Sequence, residues 1–164
     1  MAKVKERITL EEARKIVKDI EAVLKQRGIR FGVYGSYIRR EETIGDLDIL
    51  AHEKDCEVIR SLLKNRPYYG RLEIYCIPAE KEYAWETFAM YLTGSGVFNI
   101  WIRSIARNKG FLLNQYGLFE RNSGELISVK EEEIFDLLSL NYIPPEIRSE
   151  RYKAMWHNYF KNST

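Results

Sequence analysis

The feature that most limits how this chain can fold is a pair of short apolar runs, residues 29–34 and 47–51, joined by a polar segment. A Gly-Ser pair closes the first run, and a Gly-Asp-Leu-Asp segment containing Asp46 and Asp48 opens the second. Runs of this length, bounded by glycine and polar residues, are typical of β-strands. Because residues two apart on a strand face the same side, both carboxylates should point at one place.

These carboxylates predict a metal site. Two acids at the start of one strand repel each other unless a cation lies between them, and hard oxygen donors suit Mg²⁺. Glu73 interrupts the next apolar run and would supply a third ligand. Two Mg²⁺ ions about 4 Å apart, which Mn²⁺ can replace, would activate an attacking hydroxyl and stabilise a leaving pyrophosphate. Gly35 would let the backbone approach a phosphate, Ser36 would donate to it, and Arg39 would supply charge.

The same residues also allow a plainer interpretation. Asp46 and Asp48 are equally explained as solvated loop acids, the Gly-Ser pair as an ordinary turn, and Glu73 as an edge-strand surface residue. For the two acids alone, this is the better interpretation. The Gly-Ser pair, at its spacing before the acids, favours the metal site.

The rest of the chain alternates predicted helices and strands. Thr9 and Glu12 form a capping box before a helical apolar pattern that continues to Arg27. The other predicted elements are helices at 56–64, 80–92, 97–108 and 131–140, and strands at 71–77, 111–113 and 118–120. This pattern predicts an α+β fold with a soft boundary near Pro78.

Composition sets further limits. A chain of 164 residues, 45% of them hydrophobic, can bury the core of one domain or of two joined subdomains. A net charge of +2 does not by itself indicate nucleic-acid binding. Cys56 and Cys76 lie in unrelated contexts, which favours reduced thiols and an intracellular location. No apolar run approaches the roughly 20 residues of a membrane span. We expect an intracellular monomer without a membrane partner.

The segment from Gly35 to Leu50 resembles the nucleotidyltransferase motif of the DNA polymerase beta-like family X DNA polymerases. Residues 71–74 are similar to the family's third-carboxylate strand. Residues 91–99, which contain Tyr-Leu-Thr-Gly-Ser and then Phe-Asn, resemble its nucleotide-pocket motif. The resemblance runs from about Arg7 to Glu150, and several motifs in one order are far more specific than any single motif.

The resemblance implies roles for individual residues. Asp46 and Asp48 would bind both metal ions, and Glu73 would bind the catalytic ion and orient the primer 3′-hydroxyl. The residues implied to hold the nucleotide are Ser36, Arg39, Gly45 and Arg7 at its phosphates, Tyr91 and Gly94 at its sugar, and Asn99 at its base. The residues implied to contact DNA are Arg71 at the primer end, Arg103 and Tyr116 at the nascent pair, and Lys109 and Asn114 at the template backbone.

The resemblance also implies an architecture and a reaction. Residues 1–79 would form a palm nucleotidyltransferase subdomain with a mixed or antiparallel sheet, and residues 80–164 a thumb- or fingers-type subdomain that selects the nucleotide. The substrates would be dNTPs and gapped or primer-template DNA, in gap filling of the DNA-repair type. No counterpart of the family's lyase domain is found, so the chain looks like the compact viral members. We expect a location in the cytoplasm, or in the host cell or virion if the protein is viral.

One departure falls at the chemical centre. Glu73 stands where the family usually has Asp, and the extra methylene moves its oxygens by more than the sub-ångström tolerance of a catalytic site. The other departures in the matched motifs are Ile38, Tyr75, Leu92, Gly96 and Ile100. Two alternatives to a gap-filling polymerase stay open: a nucleotidyltransferase that modifies RNA or protein, and a non-catalytic binder of gapped or nicked DNA.

Overall fold

The computed structural model describes residues 6–162, and the chain divides after Ala79 into two compact units. The first unit combines helices with two sheets and the second combines helices with one, so the predicted α+β fold class is confirmed. The first unit contains β1 (Ile8–Thr9), α1 (Leu10–Lys25), β2 (Phe31–Tyr34), β3 (Thr43–Ile44), β4 (Leu47–His52), α2 (Glu53–Leu63), a 3₁₀ turn (Tyr69–Arg71) and β5 (Leu72–Ile77).

Helix α1 begins where the sequence predicts it. The Thr9 hydroxyl accepts a hydrogen bond from the Glu12 backbone N–H at 3.1 Å and donates to the Glu12 carboxylate at 3.2 Å. The first of these bonds satisfies a backbone donor that the first helical turn would otherwise leave without a partner. The apolar face of the helix is buried through Ala13, Val17, Ile20 and Leu24.

The sheet that carries the acidic residues has the order β2-β4-β5. Its central strand, β4, is antiparallel to β2 and parallel to β5. The first core forms between this sheet and the two helices, and β4 supplies it with Leu47, Ile49 and Ala51, all fully buried. A strand buried on both sides needs a nearly continuous apolar sequence, which residues 47–51 have apart from Asp48.

The two cysteines form a disulfide, which differs from the expectation of reduced thiols. Cys56 lies in α2 and Cys76 in β5, their Cα atoms are 6.2 Å apart, and their sulfurs are joined in a disulfide. The helix follows β4 directly and packs on the parallel neighbour β5, so residues far apart in sequence become adjacent. The expectation of two reduced thiols in unrelated contexts is therefore wrong in this structure, because only the tertiary packing brings them together.

The boundary between the units falls in a 3₁₀ segment, Ala79–Ala84, which occupies the start of the helix predicted at 80–92. The other elements of the second unit are α3 (Trp85–Thr93), α4 (Gly96–Asn108), β6 (Phe111–Asn114), β7 (Gly117–Glu120), β8 (Leu126–Ser128), α5 (Glu131–Leu137) and 3₁₀ segments at Pro145–Arg148 and Glu150–Tyr159. The sheet is antiparallel in the order β6-β7-β8. Strand β8 was not predicted, since its three residues are too short to show a period.

A fully buried arginine organises the core of the second unit. The Arg148 guanidinium donates to the Ile143 carbonyl at 2.9 Å and forms a 3.0 Å ion pair with Glu131. It also lies over aromatic rings of this core, 5.2 Å from the centre of Phe135. The Ser95 hydroxyl donates to the Arg148 carbonyl at 2.7 Å, so the same residue anchors the start of α4. A buried charge with these partners costs far less than an isolated one.

The helices within residues 6–162 do not include a candidate membrane span. None of them combines the length and the apolar character that crossing a bilayer would take.

Candidate active site and nucleotide pocket

The two aspartates lie at the start of the central strand of the first unit. Asp46 comes just before β4, and Asp48 is its second residue. Both strand neighbours of Asp48 in sequence are fully buried, so its own side chain points to the opposite face. The register places Glu73 of β5 beside Asp48 on one side and Tyr34 of β2 on the other. The fold thus brings the three predicted carboxylates to one face of the sheet.

The surroundings of Asp48 on this face disfavour its ionised form. Burial, followed by the negative charges of Asp46 and Glu73, raises the pKa of the Asp48 carboxyl to about 6. The Arg39 guanidinium acts in the opposite direction. The three acids therefore form one electrostatic group whose mutual repulsion a cation would relieve.

The donor set of this group fits a hard divalent cation by its chemistry. Carboxylate oxygens are the ligands Mg²⁺ prefers. Burial first, and then the charges of Asp46 and Glu73, raise the pKa of Asp48, and a cation would offset both effects. Their arrangement is more open than a closed coordination shell. Within residues 6–162, no three His, Cys, Asp or Glu side chains converge closely enough to hold a metal ion, and Glu73 is solvent-exposed.

Gly35 packs directly against the acidic group. Its φ of +68° lies in the left-handed region that glycine adopts most readily. A Cβ atom at this position would overlap an Asp48 carboxylate oxygen. Backbone hydrogen bonds of 3.1 Å, from Arg39 to Gly35 and from Glu41 to Ser36, hold the turn. The sequence predicts glycine here because a phosphate must approach the backbone. The structure adds a second reason, since only glycine leaves room for the Asp48 carboxylate.

Arg39 has a partner that the sequence analysis did not identify. Its guanidinium forms an ion pair with Glu41 at 2.5 Å, and the two side chains are only 13% and 26% exposed. The only signal for this ion pair in the sequence was that the two opposite charges lie two residues apart. A short loop has no regular side-chain period, so this spacing does not predict a contact. Arg39 therefore lies at the acidic group while engaged with Glu41.

Two residues predicted to contact the substrates hold the turn before Asp46 in this structure. Arg7 donates twice to Thr43, from Nε to the hydroxyl and from Nη2 to the carbonyl, each at 2.8 Å. A Cβ atom at Gly45 would lie 3.2 Å from Arg7 Nη1. Arg71 Nη1 donates to the Gly45 carbonyl at 2.7 Å. The structure thus gathers Arg7, Gly45 and Arg71 around the peptide that leads into the first aspartate.

Four residues predicted for the second unit line one hollow between α3, α4 and β6: Tyr91, Asn99, Arg103 and Asn114. The Asn99 amide donates to the Tyr91 carbonyl at 2.9 Å. The Arg103 guanidinium lies 5.2 Å from the centre of the Tyr91 ring, a cation–π distance. Gly94, with a φ of +63°, ends α3 and lets the chain reverse into α4. We call this hollow the nucleotide hollow, after the role that the sequence predicts for the residues that line it.

The other predicted residues of this unit have different surroundings. The Asn114 side chain accepts a hydrogen bond from the Tyr116 backbone N–H at 2.8 Å, which closes the turn between β6 and β7. The Tyr116 ring packs edge-on against Phe88, and the Lys81 ammonium lies 5.3 Å from its centre. Lys109 reaches the Ser139 hydroxyl at 3.4 Å and is not among the residues that line the nucleotide hollow.

Comparison with known proteins places both units in one group of relatives. A family model described as the DNA polymerase beta thumb matches residues 88–149. The chain is 42% identical over 86 residues, 52% of its length, to DNA polymerase IV of Saccharomyces cerevisiae. It is 31% identical over 87% of its length to the DNA polymerase/3′-5′ exonuclease PolX of Bacillus subtilis. The matches span 14% of the yeast relative and 29% of the bacterial one.

Proposed function

Because the chain belongs to the family X DNA polymerases, we propose that it is a template-directed polymerase that adds dNTPs to a primer 3′ end at short DNA gaps. The observation that carries the proposal is the placement of Asp46, Asp48 and Glu73 on one face of the sheet with a raised pKa at Asp48. Residues 1–79 would act as the palm and residues 80–164 as the nucleotide-selecting subdomain.

The three carboxylates would hold two Mg²⁺ or Mn²⁺ ions. Bound there, the ions would supply activation of the 3′-hydroxyl and neutralisation of charge at the pyrophosphate. The contribution of the chain is to place hard oxygen donors at a fixed strand register, with Asp48 between Asp46 and Glu73. Glu73, exposed at the sheet edge, would approach the primer terminus.

The turn at Gly35 would hold the triphosphate. Its backbone passes against Asp48 without a side chain in the way, so a phosphate can approach closely. Ser36 would donate to that phosphate, and Arg39 would exchange its Glu41 partner for phosphate oxygens, which its planar fork matches well. Arg7 and Arg71 would act as positioning residues, because they fix the peptide that precedes Asp46.

The nucleotide hollow would select the incoming dNTP. The Asn99 amide nitrogen carries two hydrogens, of which one is donated to the Tyr91 carbonyl and the other would reach the minor-groove acceptors of the base. Arg103 would lie at the nascent pair, held over the Tyr91 ring.

The second candidate function is non-catalytic binding of gapped DNA. It is favoured by the exposure of Glu73 and the open arrangement of the acids.

A single assay separates these functions. One labelled dNTP is supplied with Mg²⁺ or Mn²⁺ on matched gapped, nicked and blunt substrates, and the Asp46→Asn/Asp48→Asn variant serves as the inactive control. We expect metal-dependent incorporation opposite the complementary base, greatest at the gap. Binding of gapped DNA without incorporation would assign the non-catalytic function instead. Transfer of nucleotide to RNA or protein in preference to the primer would reject the polymerase.

A further inference from the structure

A second hollow, of about 300 Å³, lies on the second unit beside the nucleotide hollow. Three arginines, Arg103, Arg107 and Arg121, line it together with Phe111 and Leu112. Arg103 and Arg107 are four residues apart on α4 and therefore share one face of the helix. Arg121 follows β7, whose pairing with β6 brings it to the same place, and its guanidinium donates to the Arg107 carbonyl at 3.3 Å. We call this the basic hollow.

The lining of the basic hollow carries an excess of positive charge. No carboxylate lines it, and none of the three arginines forms an ion pair with any residue of 6–162. The nearest acid in sequence, Glu120, accepts a 2.5 Å hydrogen bond from the Ser123 backbone. Its pKa is lowered first by the hydrogen bonds from Ser123 and more weakly by the charge of Arg121, so it balances at most one of the three arginines. Like charges in one concavity repel each other, and an anion would remove that repulsion.

The lining favours a nucleic-acid strand over a small anion. Guanidinium forks match phosphate oxygens in pairs. The Leu112 side chain is 51% exposed at the rim and Phe111 is partly exposed, which suits contact with sugars and bases. Apolar surface of this kind adds nothing to the binding of inorganic phosphate.

Arg103 and Asn114 line both hollows, so the basic hollow continues from the nucleotide hollow. A strand whose base pairs with a nucleotide in the first hollow would run on into the second. We propose that the basic hollow binds the phosphodiester backbone of the single-stranded template beyond the base being copied. This proposal rests on the proposed function for the identity of the strand, and it assigns Arg107 and Arg121 as phosphate ligands.

The test measures binding alone, without metal or dNTP, so it does not depend on catalysis. Fluorescence anisotropy is recorded for a primer-template with a long 5′ template overhang and for the same duplex with blunt ends. We expect Arg107→Glu/Arg121→Glu to weaken binding of the overhang substrate by about tenfold or more. The slope of log affinity against log salt should fall by about 1.4, for two single-strand phosphate contacts. The blunt duplex should change by less than twofold.

The matched control is Lys18→Glu/Lys64→Glu, which makes the same change of charge at exposed positions of the first unit. The milder variant Arg107→Gln/Arg121→Gln is measured in parallel. This glutamine variant should also weaken binding of the overhang substrate, but by less than the glutamate variant does. Circular dichroism melting verifies that each variant is folded.

Any one of the following results would overturn the proposal. The first is an unchanged affinity for the overhang substrate in both folded arginine variants. The second is an equal loss on overhang and blunt DNA, and the third is an equal loss in the lysine control. The hollow would likewise be only a general anion site if millimolar inorganic phosphate displaced DNA from the protein and overhang and blunt DNA bound with equal affinity. A parent protein that binds the overhang but never incorporates a nucleotide would refute the proposed function and leave the basic hollow intact.

Discussion

Asp48 is the residue at which charge and burial conflict most strongly. It is half-buried between Asp46 and Glu73, and these surroundings raise its pKa to about 6. Such surroundings are unfavourable for a carboxylate that acts only structurally, and they are common at functional sites. The residue-scale predictions therefore concern this acidic group.

Replacing either aspartate with asparagine should nearly abolish nucleotide addition. An amide keeps the size of the side chain but cannot supply the charge that two metal ions need. We expect a loss of about a thousandfold or more in Asp46→Asn and in Asp48→Asn, measured by single-turnover primer extension. A folded variant that kept most of its activity would refute the metal assignment.

The same substitution at Asp48 should stabilise the protein when metal is absent. At pH 8 the carboxylate is ionised, above its pKa of about 6, and is repelled by two neighbouring acids. Removing this charge should raise the melting temperature in EDTA by about 2–4 °C. Glu73→Gln, at an exposed position, is the control and should change the melting temperature less. Equal melting temperatures for Asp48→Asn and the parent would show that the repulsion is already screened by solvent.

Glu73 is the residue where the family motif and the sequence differ. If it is a ligand, Glu73→Gln should impair extension strongly and leave nucleotide binding nearly intact, because Asp46 and Asp48 would still hold the nucleotide-bound ion. Glu73→Asp should be tolerated, or faster with Mg²⁺. Extension rates and nucleotide affinity, measured separately, provide the check. Parental rates in Glu73→Gln would leave a site with two carboxylates.

Among the elements, α2 and β5 are joined both by packing and by the Cys56–Cys76 disulfide. Strand β5 also carries Glu73, so the bond lies in the element that presents the third acid. It closes a loop between cysteines 20 residues apart in sequence, and a closed loop of this length restricts the unfolded chain.

Reduction of this bond should lower the stability of the protein by about 3 kcal/mol. The check is urea unfolding with and without a reductant, with Cys56→Ser/Cys76→Ser as the control that should show no effect of the reductant. Titration of thiols in the denatured, unreduced protein should find none. Two titratable thiols and an unchanged unfolding midpoint would show that the protein is normally reduced, as its sequence suggests.

On the scale of the whole molecule, the net charge of +2 conceals a local concentration of positive charge. The basic hollow gathers three arginines without a lining carboxylate, while the first unit gathers its acids at one sheet face. Binding to a polyanion depends on such local surfaces and only weakly on the net charge.

DNA binding should therefore weaken steeply with salt and show little sequence preference. The contacts expected for Arg103 and Lys109 go to the backbone or to groove edges, and each neutralised phosphate releases counterions. Affinity for gapped duplexes of unrelated sequence, measured from low to physiological ionic strength, gives the test. A flat response to salt would argue against DNA as the partner.

The features that could be predicted from the sequence are local ones. The capping box of Thr9 and Glu12, the apolar period of α1 and the strand that follows Asp46 are properties of neighbouring residues, and all were predictable. Several motifs in one order were also enough to predict the family. Strand β8 and the short pairing of β1 with β3 were missed, because runs of two or three residues carry no detectable period.

Contacts between residues distant in sequence depended instead on the tertiary structure. The disulfide, the register that sets Glu73 beside Asp48, and the attachment of Arg7 and Arg71 to the turn at Gly45 all depend on how strands pair and helices pack. The basic hollow likewise needs Arg121 to reach α4 across the β6–β7 pairing. Periodicity and capping act over a few residues, whereas these contacts form only when the apolar faces of separate elements are buried together.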